Sequence, residues 1–402
     1  MIHRHHVAPI AALSLACAGT ALAQQTDFSK VEIKTTRIAD DFYTLEGQGG
    51  TISVLTGPDG VLLVDSQFAP LTDKLAAAIK AVSDQPVRYL VNTHVHGDHT
   101  GGNENFAKLG AVIFSRDQLR ERMARPNPGP DGRPGTPAAP RALPVVTYDS
   151  EVTLHVNGED VKLIPIRAAH TDGDTLIRFP RHDILAVGDY IRTVGYPRVD
   201  LTSGGSMEGL LAAFEQTMSL AGPGTRIIPG HGAITDRAGV AAQRDLVLAV
   251  REKIRPLVQQ GKSVEEVIAA KPTAEFDAKV PNAAQTSEQL VRWLYAELKP
   301  GNFAGAWKLD NTFNGRVSAI HCTVVQSGET LTGSCKPDGA GMEASRLTGK
   351  VTGSRAKWGY DLVFNGKPAR VDYAVELAAD GSLAGNLLRN DSASPIKGAR
   401  QP

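Results

Sequence analysis

The chain contains few cysteines and no run of basic residues. It has three cysteines in 402 residues, and its 43 Lys and Arg residues are balanced by 43 Asp and Glu residues. Proteins that bind nucleic acid or an anionic membrane surface need positive charge concentrated in one region. The even charge therefore argues against both kinds of partner and leaves a small molecule as the expected substrate.

The chain also lacks an apolar run of the roughly 20 residues that a membrane-spanning helix requires. Its N-terminal segment, residues 1–23, begins with basic and histidine residues, continues with a short apolar run from Val7 and ends in small residues at Ala23. This order is typical of a cleavable secretory signal peptide. We therefore predict cleavage near Ala23, no stable membrane anchor, and export to the periplasm or the exterior. Lipoprotein processing before Cys17 is a weaker alternative, because Ser14 stands where such sites usually carry Leu.

The region from residue 30 to residue 298 alternates between strand patterns and helix patterns, which indicates an α/β layer architecture. Helical spacing of apolar residues predicts helices at 207–220, 237–260, 263–270 and 286–298. Residues 125–144 interrupt this alternation with a stretch rich in Pro and Gly. They form a long loop, either a flap over a site or a disordered surface segment.

The last region, residues 303–402, consists of short alternating runs separated by Gly and Asn, which indicates a separate antiparallel all-β domain, a small sandwich or a barrel. Without the signal peptide the remaining cysteines are Cys322 and Cys335, and alternating runs flank the turn residues 327–329 between them. A hairpin centred between Gly328 and Glu329 places the two cysteines opposite each other. In an exported protein this predicts a disulfide, with a pair of free buried thiols as the alternative.

The most distinctive stretch is "NTHVHGDHTGG", residues 92–102, which holds His94, His96, Asp98 and His99. Three of the eight histidines that follow the signal peptide fall here, which argues against ordinary surface or turn histidines. Two residues apart after a strand, the first two rings can point to the same side. Imidazole and carboxylate are ligands that zinc accepts. Four such ligands in six residues cannot easily reach one ion, so two ions sharing the loop are the simpler geometry.

Three further ligand-type residues stand where a strand ends. His170 follows "VKLIPI", Asp189 ends "ILAVGD", and His231 lies in the turn "PGHG" after an apolar strand. Each of them alone would more often be structural. Together with the first string they form a specific set for a centre with two metal ions.

The pattern resembles the metallo-β-lactamase superfamily of binuclear metallohydrolases over roughly residues 30–298. The residues from 94 to 99 match the family's His-x-His-x-Asp-His motif, and Asp65, which ends "VLLVD", is similar to its early structural aspartate. The resemblance implies a four-layer αβ/βα sandwich, with two mixed sheets back to back, helices outside and metals at one edge. Asp65 is then expected to support the ligands rather than to bind metal.

The resemblance also implies how the ligands are divided. One metal is held by His94, His96 and His170, and a second by Asp98, His99 and His231, with Asp189 between them. Two Zn²⁺ ions are the expected cofactors, with iron or manganese as alternatives.

The implied activity is that of a zinc-dependent hydrolase. A hydroxide bridging the two ions attacks an ester, lactone, thioester or lactam carbonyl, and Asp98 is expected to hydrogen-bond the nucleophile and shuttle a proton. The presence of Asp189 and the absence of a cysteine ligand argue against a specialised β-lactamase. His96, where an oxygen-reducing subgroup has Glu, argues against that activity. A β-lactamase and a mononuclear iron enzyme that oxidises persulfides are kept as alternatives.

Residues 190–209 follow the expected bridging aspartate and are candidates for the substrate mouth. Its lining is predicted to include Tyr190, Arg192, Tyr196 and Arg198, and the serines from Ser203 to Ser206 are candidates to bind a carboxylate. The alternative is that these residues only cap a loop.

Overall fold

The computed structural model describes residues 26–126, 135–313, 316–339, 343–364, 367–378, 381–389 and 392–401. The predicted signal peptide, residues 1–23, and the central part of the Pro- and Gly-rich loop lie outside the described residues. Export and a flap therefore remain predictions. Among the described helices, none is both long and apolar enough to cross a membrane.

The first half of the α/β unit is a seven-stranded sheet with its strands in chain order. Its strands are β1 (Lys34–Ala39), β2 (Phe42–Glu46), β3 (Ile52–Leu55), β4 (Val61–Val64), β5 (Val87–Val91), β6 (Val112–Arg116) and β7 (Val146–Tyr148). The helices of this half are α1 (Thr72–Lys80), α2 (Gly97–Thr100), α3 (Asn103–Lys108) and α4 (Asp117–Ala124). Strands β1 to β4 pair antiparallel, and β4 to β7 pair parallel. Strands β3 and β4 are buried along their whole length, which is why they form continuous apolar runs in the sequence.

The second half is a five-stranded sheet in the order β12-β11-β10-β9-β8. Its strands are β8 (Val152–Val156), β9 (Glu159–Pro165), β10 (Thr175–Phe179), β11 (Ile184–Arg192) and β12 (Arg226–His231). The helices of this half are α5 (Met207–Leu220), α6 (Arg237–Gln259), α7 (Val264–Ala269) and α8 (Ala283–Leu298). Strands β11 and β12 are parallel, and the other pairs are antiparallel.

The two sheets pack back to back around a shared apolar core. Phe42 of β2 and Phe179 of β10 meet there with ring centroids 4.8 Å apart. Helices cover the outer faces: Leu75 of α1 and Phe106 of α3 are buried on the first sheet, and Phe214 of α5 on the second. The predicted four-layer αβ/βα sandwich is confirmed. The ends of β4, β5, β9, β11 and β12 lie together at one edge of the two sheets.

The described end of the Pro- and Gly-rich loop packs against the first half of the unit. The Ala138 N–H donates to the Met123 carbonyl over 2.9 Å, and the Asn103 side chain donates to the Ala142 carbonyl over 3.1 Å. Ala142 is buried with Leu119 and Met123 of α4. Residues 135–144 are therefore an ordered, anchored part of this loop.

The C-terminal region is a closed barrel of eight antiparallel strands. Its strands are β13 (Gly305–Phe313), β14 (Arg316–Ser327), β15 (Thr330–Pro337), β16 (Ser345–Thr352), β17 (Arg355–Phe364), β18 (Lys367–Leu377), β19 (Leu383–Arg389) and β20 (Ser392–Arg400). Strand β20 pairs with β13 and closes the sheet on itself. The predicted antiparallel β domain is confirmed, and of the two forms expected from its alternation it takes the barrel. Among the described strands of the barrel, this pairing of the first with the last leaves no open sheet edge.

The barrel contacts the α/β unit at the C-terminal end of α8. The Gly301 N–H donates to the Gly353 carbonyl over 2.7 Å, and Arg355 of β17 forms a 2.5 Å ion pair with Glu208 of α5. Gly353 has a positive φ of 57°, and a Cβ there would lie 2.2 Å from the Glu297 carbonyl oxygen. Only glycine permits this close approach of the β16–β17 turn to α8.

The predicted disulfide is present between Cys322 and Cys335, which face each other on β14 and β15 with Cα atoms 4.0 Å apart. The register runs from this pair to Ser327 opposite Thr330, so the turn lies at 328–329 as predicted. Both cysteines are buried among the apolar side chains of the barrel.

Removal of this disulfide should destabilise the barrel. For the Cys322→Ala/Cys335→Ala variant we expect the free energy of unfolding to fall by about 2–4 kcal/mol, because the unfolded chain regains the freedom of a closed loop. Unfolding in guanidinium chloride, followed by the fluorescence of the buried Trp307 and Trp358, measures the effect. A reductant should lower the midpoint of the wild type but not that of the variant. Equal midpoints for both proteins without reductant would contradict the prediction.

Candidate metal centre

The His94–His99 string begins after the end of β5 and continues into α2, at the edge where several strands of both sheets end. The rings of His94 and His96 come together with centroids 4.8 Å apart, as period-two spacing after a strand predicts. Helix α2 then turns the chain, and the ring of His99 lies 4.1 Å from that of His94. The local sequence therefore places all three rings at one point.

Three histidine nitrogens form what we call the first donor group: His94 Nε2, His96 Nδ1 and His170 Nε2. His96 Nδ1 lies 3.1 Å from His94 Nε2 and 3.0 Å from His170 Nε2. Three nitrogens bound tetrahedrally to one zinc ion lie about 3.3 Å apart, given a bond length of 2.0–2.1 Å. The spacing of the first donor group fits one such ion, and its residues come from both sheets.

A second donor group consists of Asp98, His99 and His231, whose ligand atoms lie within 4.8 Å of one another. Asp98 Oδ2 is 3.0 Å from His231 Nε2 and 3.7 Å from His99 Nε2. His231 ends β12 and follows Gly230, where a Cβ would lie 2.0 Å from Asp189 Oδ1. The glycine before the histidine thus lets β12 approach the site closely.

Asp189 lies between the two donor groups. Its Oδ2 is 3.9 Å from His170 Nε2 in the first group and 3.5 Å from His231 Nε2 in the second, and its Oδ1 is 3.3 Å from His99 Nε2. Asp189 Oδ1 and His99 Nε2 are both buried and make no hydrogen bond with any described residue. Buried polar atoms are almost always satisfied, so this pair fits a site that binds cations.

Asp65 supports the second donor group from behind. Its Oδ2 accepts from His99 Nδ1 over 2.8 Å and from the Thr93 hydroxyl over 2.7 Å, and its Oδ1 accepts from the Thr93 N–H over 2.7 Å. With Nδ1 of His99 engaged in this way, Nε2 is the nitrogen that faces the site. Asp65 has a positive φ of 68°, a strained conformation for a residue with a side chain.

Asp200 is a residue of this centre that the sequence did not reveal. Its Oδ2 accepts from His96 Nε2 over 2.9 Å, while its Oδ1 accepts from the N–H groups of Thr202 and Ser203. The Arg198 carbonyl two residues earlier lies 3.0 Å from His170 Nδ1 and accepts its proton. One short segment therefore orients two of the three histidines in the first donor group.

A buried arginine network holds the loop that carries His170. The Arg116 guanidinium, 2% exposed, donates to the carbonyls of Ile166 and Asp172 over 2.9 and 2.6 Å. Arg122 forms a two-pronged ion pair with the Asp172 carboxylate, at 2.7 and 2.6 Å. Paired guanidinium–carboxylate bonds fix orientation as well as distance, so this network sets where His170 stands.

Comparison with known proteins agrees with this geometry. A sequence profile of the Metallo-beta-lactamase superfamily matches residues 45–231. Residues 45–231 form a metallo-β-lactamase superfamily domain.

Three similar proteins cover part of the chain. The metallo-beta-lactamase type 2 of Bacillus cereus is 22% identical over 195 residues, 48% of this chain and 71% of that protein. The hydroxyacylglutathione hydrolase of Nitrosococcus oceani is 27% identical over 178 residues, 44% of this chain and 60% of that protein. The 2,4-dinitroanisole O-demethylase subunit alpha of a Nocardioides species is 27% identical over 143 residues, 35% of this chain and 40% of that protein. The chain thus spans less than two thirds of the latter two proteins.

A solved structure is also similar to the chain. It is a metallo-beta-lactamase from Pontibacter korlensis, 19% identical, with a TM-score of 0.43; the match covers 53% of this chain and 99% of that one. The sequence profile ends at residue 231, before α6, α7, α8 and the barrel.

Protonation differs between the two donor groups of the metallo-β-lactamase domain. Burial lowers the pKa of His94 well below its ordinary value and lowers the pKa of His170 to about 4. Burial also lowers the pKa of His99, but the charges of Asp189 and Asp65 outweigh it and raise that pKa well above the ordinary value. In the absence of metal, His94 and His170 are therefore neutral near pH 7, while His99 carries a proton.

Tyr190 does not line the substrate mouth, so that prediction is wrong. Its side chain is 1% exposed, and its hydroxyl hydrogen-bonds Thr217 of α5 over 3.0 Å. Neighbouring residues of a strand point to opposite faces of the sheet. Because Asp189 faces the donor groups, Tyr190 must face the helix layer.

The other candidates lie in different surroundings. Arg192, Tyr196 and Arg198 line a cavity between the segment after β11 and α8, but Tyr196 is buried and its hydroxyl donates to Asp277 over 2.6 Å. Ser203 belongs to the turn that Asp200 closes.

Carboxylate binding by Ser206 is a wrong prediction. Its hydroxyl accepts from the Gly209 N–H and donates to the Ala168 carbonyl, each over 2.9 Å. Ser206 is therefore the N-cap of α5.

Two conservative substitutions should affect the two donor groups separately. Asp65→Asn should weaken metal binding by the second donor group, and Asp200→Asn by the first, each by about 10–100-fold, because each removes the acceptor that orients a histidine. Competition with a chromophoric chelator measures both affinities. Asp160→Asn is the matched control, since it breaks a surface pair with His155. Equal weakening in all three variants would contradict this assignment.

Metal binding by the second donor group should release a proton, because His99 must lose one to act as a ligand. Below the raised pKa of His99, the apparent affinity of this group should fall by up to about tenfold per pH unit as the pH drops. His94 and His170, whose pKa values are lowered, should give no release near pH 7. Calorimetric titration in buffers of different ionisation enthalpy counts the protons. Binding without proton release near pH 7 would contradict the prediction.

Proposed function

We propose that this protein is a hydrolase of small carbonyl compounds that works with two divalent metal ions, of which zinc is the simplest choice. The observation that carries the proposal is the position of Asp189, whose two oxygens face donor atoms of both groups. A single carboxylate shared in this way suits a pair of ions held side by side. The hydrolase names of two similar proteins support the same class of reaction.

The seven candidate ligands divide as their spacing suggests. His94, His96 and His170 would hold one ion; Asp98, His99 and His231 would hold the other; and Asp189 would be shared. Two bound divalent ions supply Lewis acidity, which polarises a carbonyl group and lowers the pKa of a water molecule to near 7. The remaining steps fall to the protein's own side chains.

The exposure of the ligands indicates the side from which substrate approaches. The side chains of His94, His99 and His170 are at most 1% exposed, while those of His96, Asp98 and His231 are 23–25% exposed. Asp98 thus combines access to solvent with a carboxylate oxygen in the centre of the site. It is placed to accept a hydrogen bond from the attacking water and to hold the proton that this water loses.

Export is part of the proposal. Disulfides form and persist in oxidising compartments, so the Cys322–Cys335 bond supports a protein that acts outside the cytoplasm. The signal-like residues 1–23 support the same location.

Removal of metal should abolish hydrolysis, and zinc should restore it. We expect two ions per wild-type chain by elemental analysis.

His96→Ala should lose metal and activity, because the first donor group then keeps two of its three nitrogens. Asp189→Asn removes a negative charge shared by both groups and should leave one tight and one weak site. Full activity of His96→Ala, or two unchanged sites in Asp189→Asn, would argue against a shared centre.

The substrate panel should favour carbonyl compounds over phosphodiesters. We expect measurable hydrolysis of activated esters and small lactones, slow turnover of the β-lactam nitrocefin, and none of bis(4-nitrophenyl) phosphate. Rates on all four compounds, measured with the same metal-loaded sample and with a chelated control, give the ranking. A nitrocefin rate well above the ester and lactone rates would assign the protein to β-lactam cleavage instead.

A further inference from the structure

A cavity of about 580 Å³ lies beside the metal centre, between the segment that follows β11 and helix α8. Its walls include Arg192, Arg198 and Asp200 on one side and Gln289 and Trp293 on the other. Asp200 also accepts the hydrogen bond from His96, so the cavity and the first donor group share a wall. A molecule bound in this cavity would lie next to the candidate metal ligands.

Two arginines in the cavity wall have no ion-pair partner among the described residues. Within the described parts of the chain, neither Arg192 nor Arg198 forms an ion pair or a hydrogen bond through its guanidinium group, and Arg192 Nε is buried without a partner. Arg116 and Arg122 nearby are both paired with carboxylates. Asp200 lines the same wall as an anion, and its carboxylate accepts from His96, Thr202 and Ser203 rather than pairing with either arginine. Two positive charges and one negative charge leave the cavity net positive.

Helix α8 supplies a surface of a different kind. Gln285, Gln289 and Trp293 are spaced four residues apart and therefore lie on one face of the helix, toward the cavity. The half-buried indole of Trp293 offers an apolar surface, and the two amides offer hydrogen bonds. This helix lies beyond residue 231, where the superfamily match ends, so this wall is not part of the matched domain.

We infer that the cavity binds the carboxylate group of the substrate, which makes the substrate an organic anion: an ester, lactone, thioester or lactam that also carries a carboxylate. The inference rests on the proposed hydrolase function for the carbonyl part of the molecule. Arg192 and Arg198 bind the carboxylate through charge-assisted hydrogen bonds. The body of the molecule packs on Trp293, and its carbonyl reaches the metal centre past Asp200.

Direct binding tests the cavity without any catalytic step. Isothermal titration calorimetry compares 4-phenylbutyrate with 4-phenylbutanol, on the full chain as purified and after chelation. We expect the acid to bind at least tenfold more tightly in both samples and less tightly at high salt. Arg192→Met and Arg198→Met should each weaken it about tenfold, as expected for the loss of a charge-assisted hydrogen bond. Arg192→Lys, which keeps the charge, should retain part of the affinity.

Arg346→Met is the matched control, because Arg346 is an exposed arginine on β16 of the barrel. It should bind 4-phenylbutyrate as the wild type does, and unchanged circular dichroism shows that each variant is folded. Equal binding of acid and alcohol would overturn the inference. Acid binding that is lost on chelation but unchanged in both arginine variants would also overturn it. So would displacement of the acid by inorganic phosphate that binds with comparable affinity.

Kinetics separate this inference from the proposed function. The mono-4-nitrophenyl ester of adipic acid and 4-nitrophenyl hexanoate share their leaving group and differ in the carboxylate. We expect kcat/KM to favour the acidic ester at least tenfold, and the ratio to approach one in Arg192→Met/Arg198→Met. Equal rates on both esters would refute the carboxylate site and leave the hydrolase intact. Arginine-dependent binding of 4-phenylbutyrate with no hydrolysis of either ester would refute the hydrolase and leave the site.

Discussion

The α/β unit depends on keeping one buried carboxylate, that of Asp189, in place among histidines. Removing a carboxylate from water costs several kcal/mol unless nearby charges and hydrogen bonds compensate. Asp189 is 5% exposed, and its oxygens lie 3.3–3.9 Å from nitrogens of His99, His231 and His170. His99 belongs to the first half of the unit, and the other two belong to the second. The sandwich must therefore hold the ends of both sheets in register, and a shift of either sheet would leave a buried charge without its partners.

Much of this arrangement could be predicted because it depends on local patterns. Helix α5 covers the predicted range 207–220, since its apolar residues recur with helical period and Ser206 caps it. The alternation of β14 and β15 about a two-residue turn fixed the position of Cys322 opposite Cys335. The donor side chains could be named because histidines and aspartates at strand ends beside glycine have few other reasons to cluster.

The failures concern features that one sequence does not encode locally. Tyr190 was assigned to the wrong face because the sequence shows the alternation along β11 but not which face meets the metal centre. Asp200 was missed because its partner, His96, lies 104 residues away. The pattern Asp-x-Thr-Ser indicates a turn in which the aspartate accepts backbone bonds, which it does, but not where its second oxygen points. The barrel and the sandwich could not be separated either, because both satisfy the same alternation and differ only in whether β20 pairs with β13.

Helix α8 connects the cavity beside the metal centre with the C-terminal barrel. One face of it lines the cavity through Gln289 and Trp293, and its C-terminal end meets the barrel where the Glu297 carbonyl approaches Gly353. Glu297 is also held by Arg251 of α6 over 2.9 Å. Close-packed interiors have low compressibility and transmit strain. Strain that passes from the barrel into α8 therefore meets the cavity wall, whereas the candidate metal ligands lie on β11, β12, α2 and the loops after β5 and β9, and none of them lies on α8.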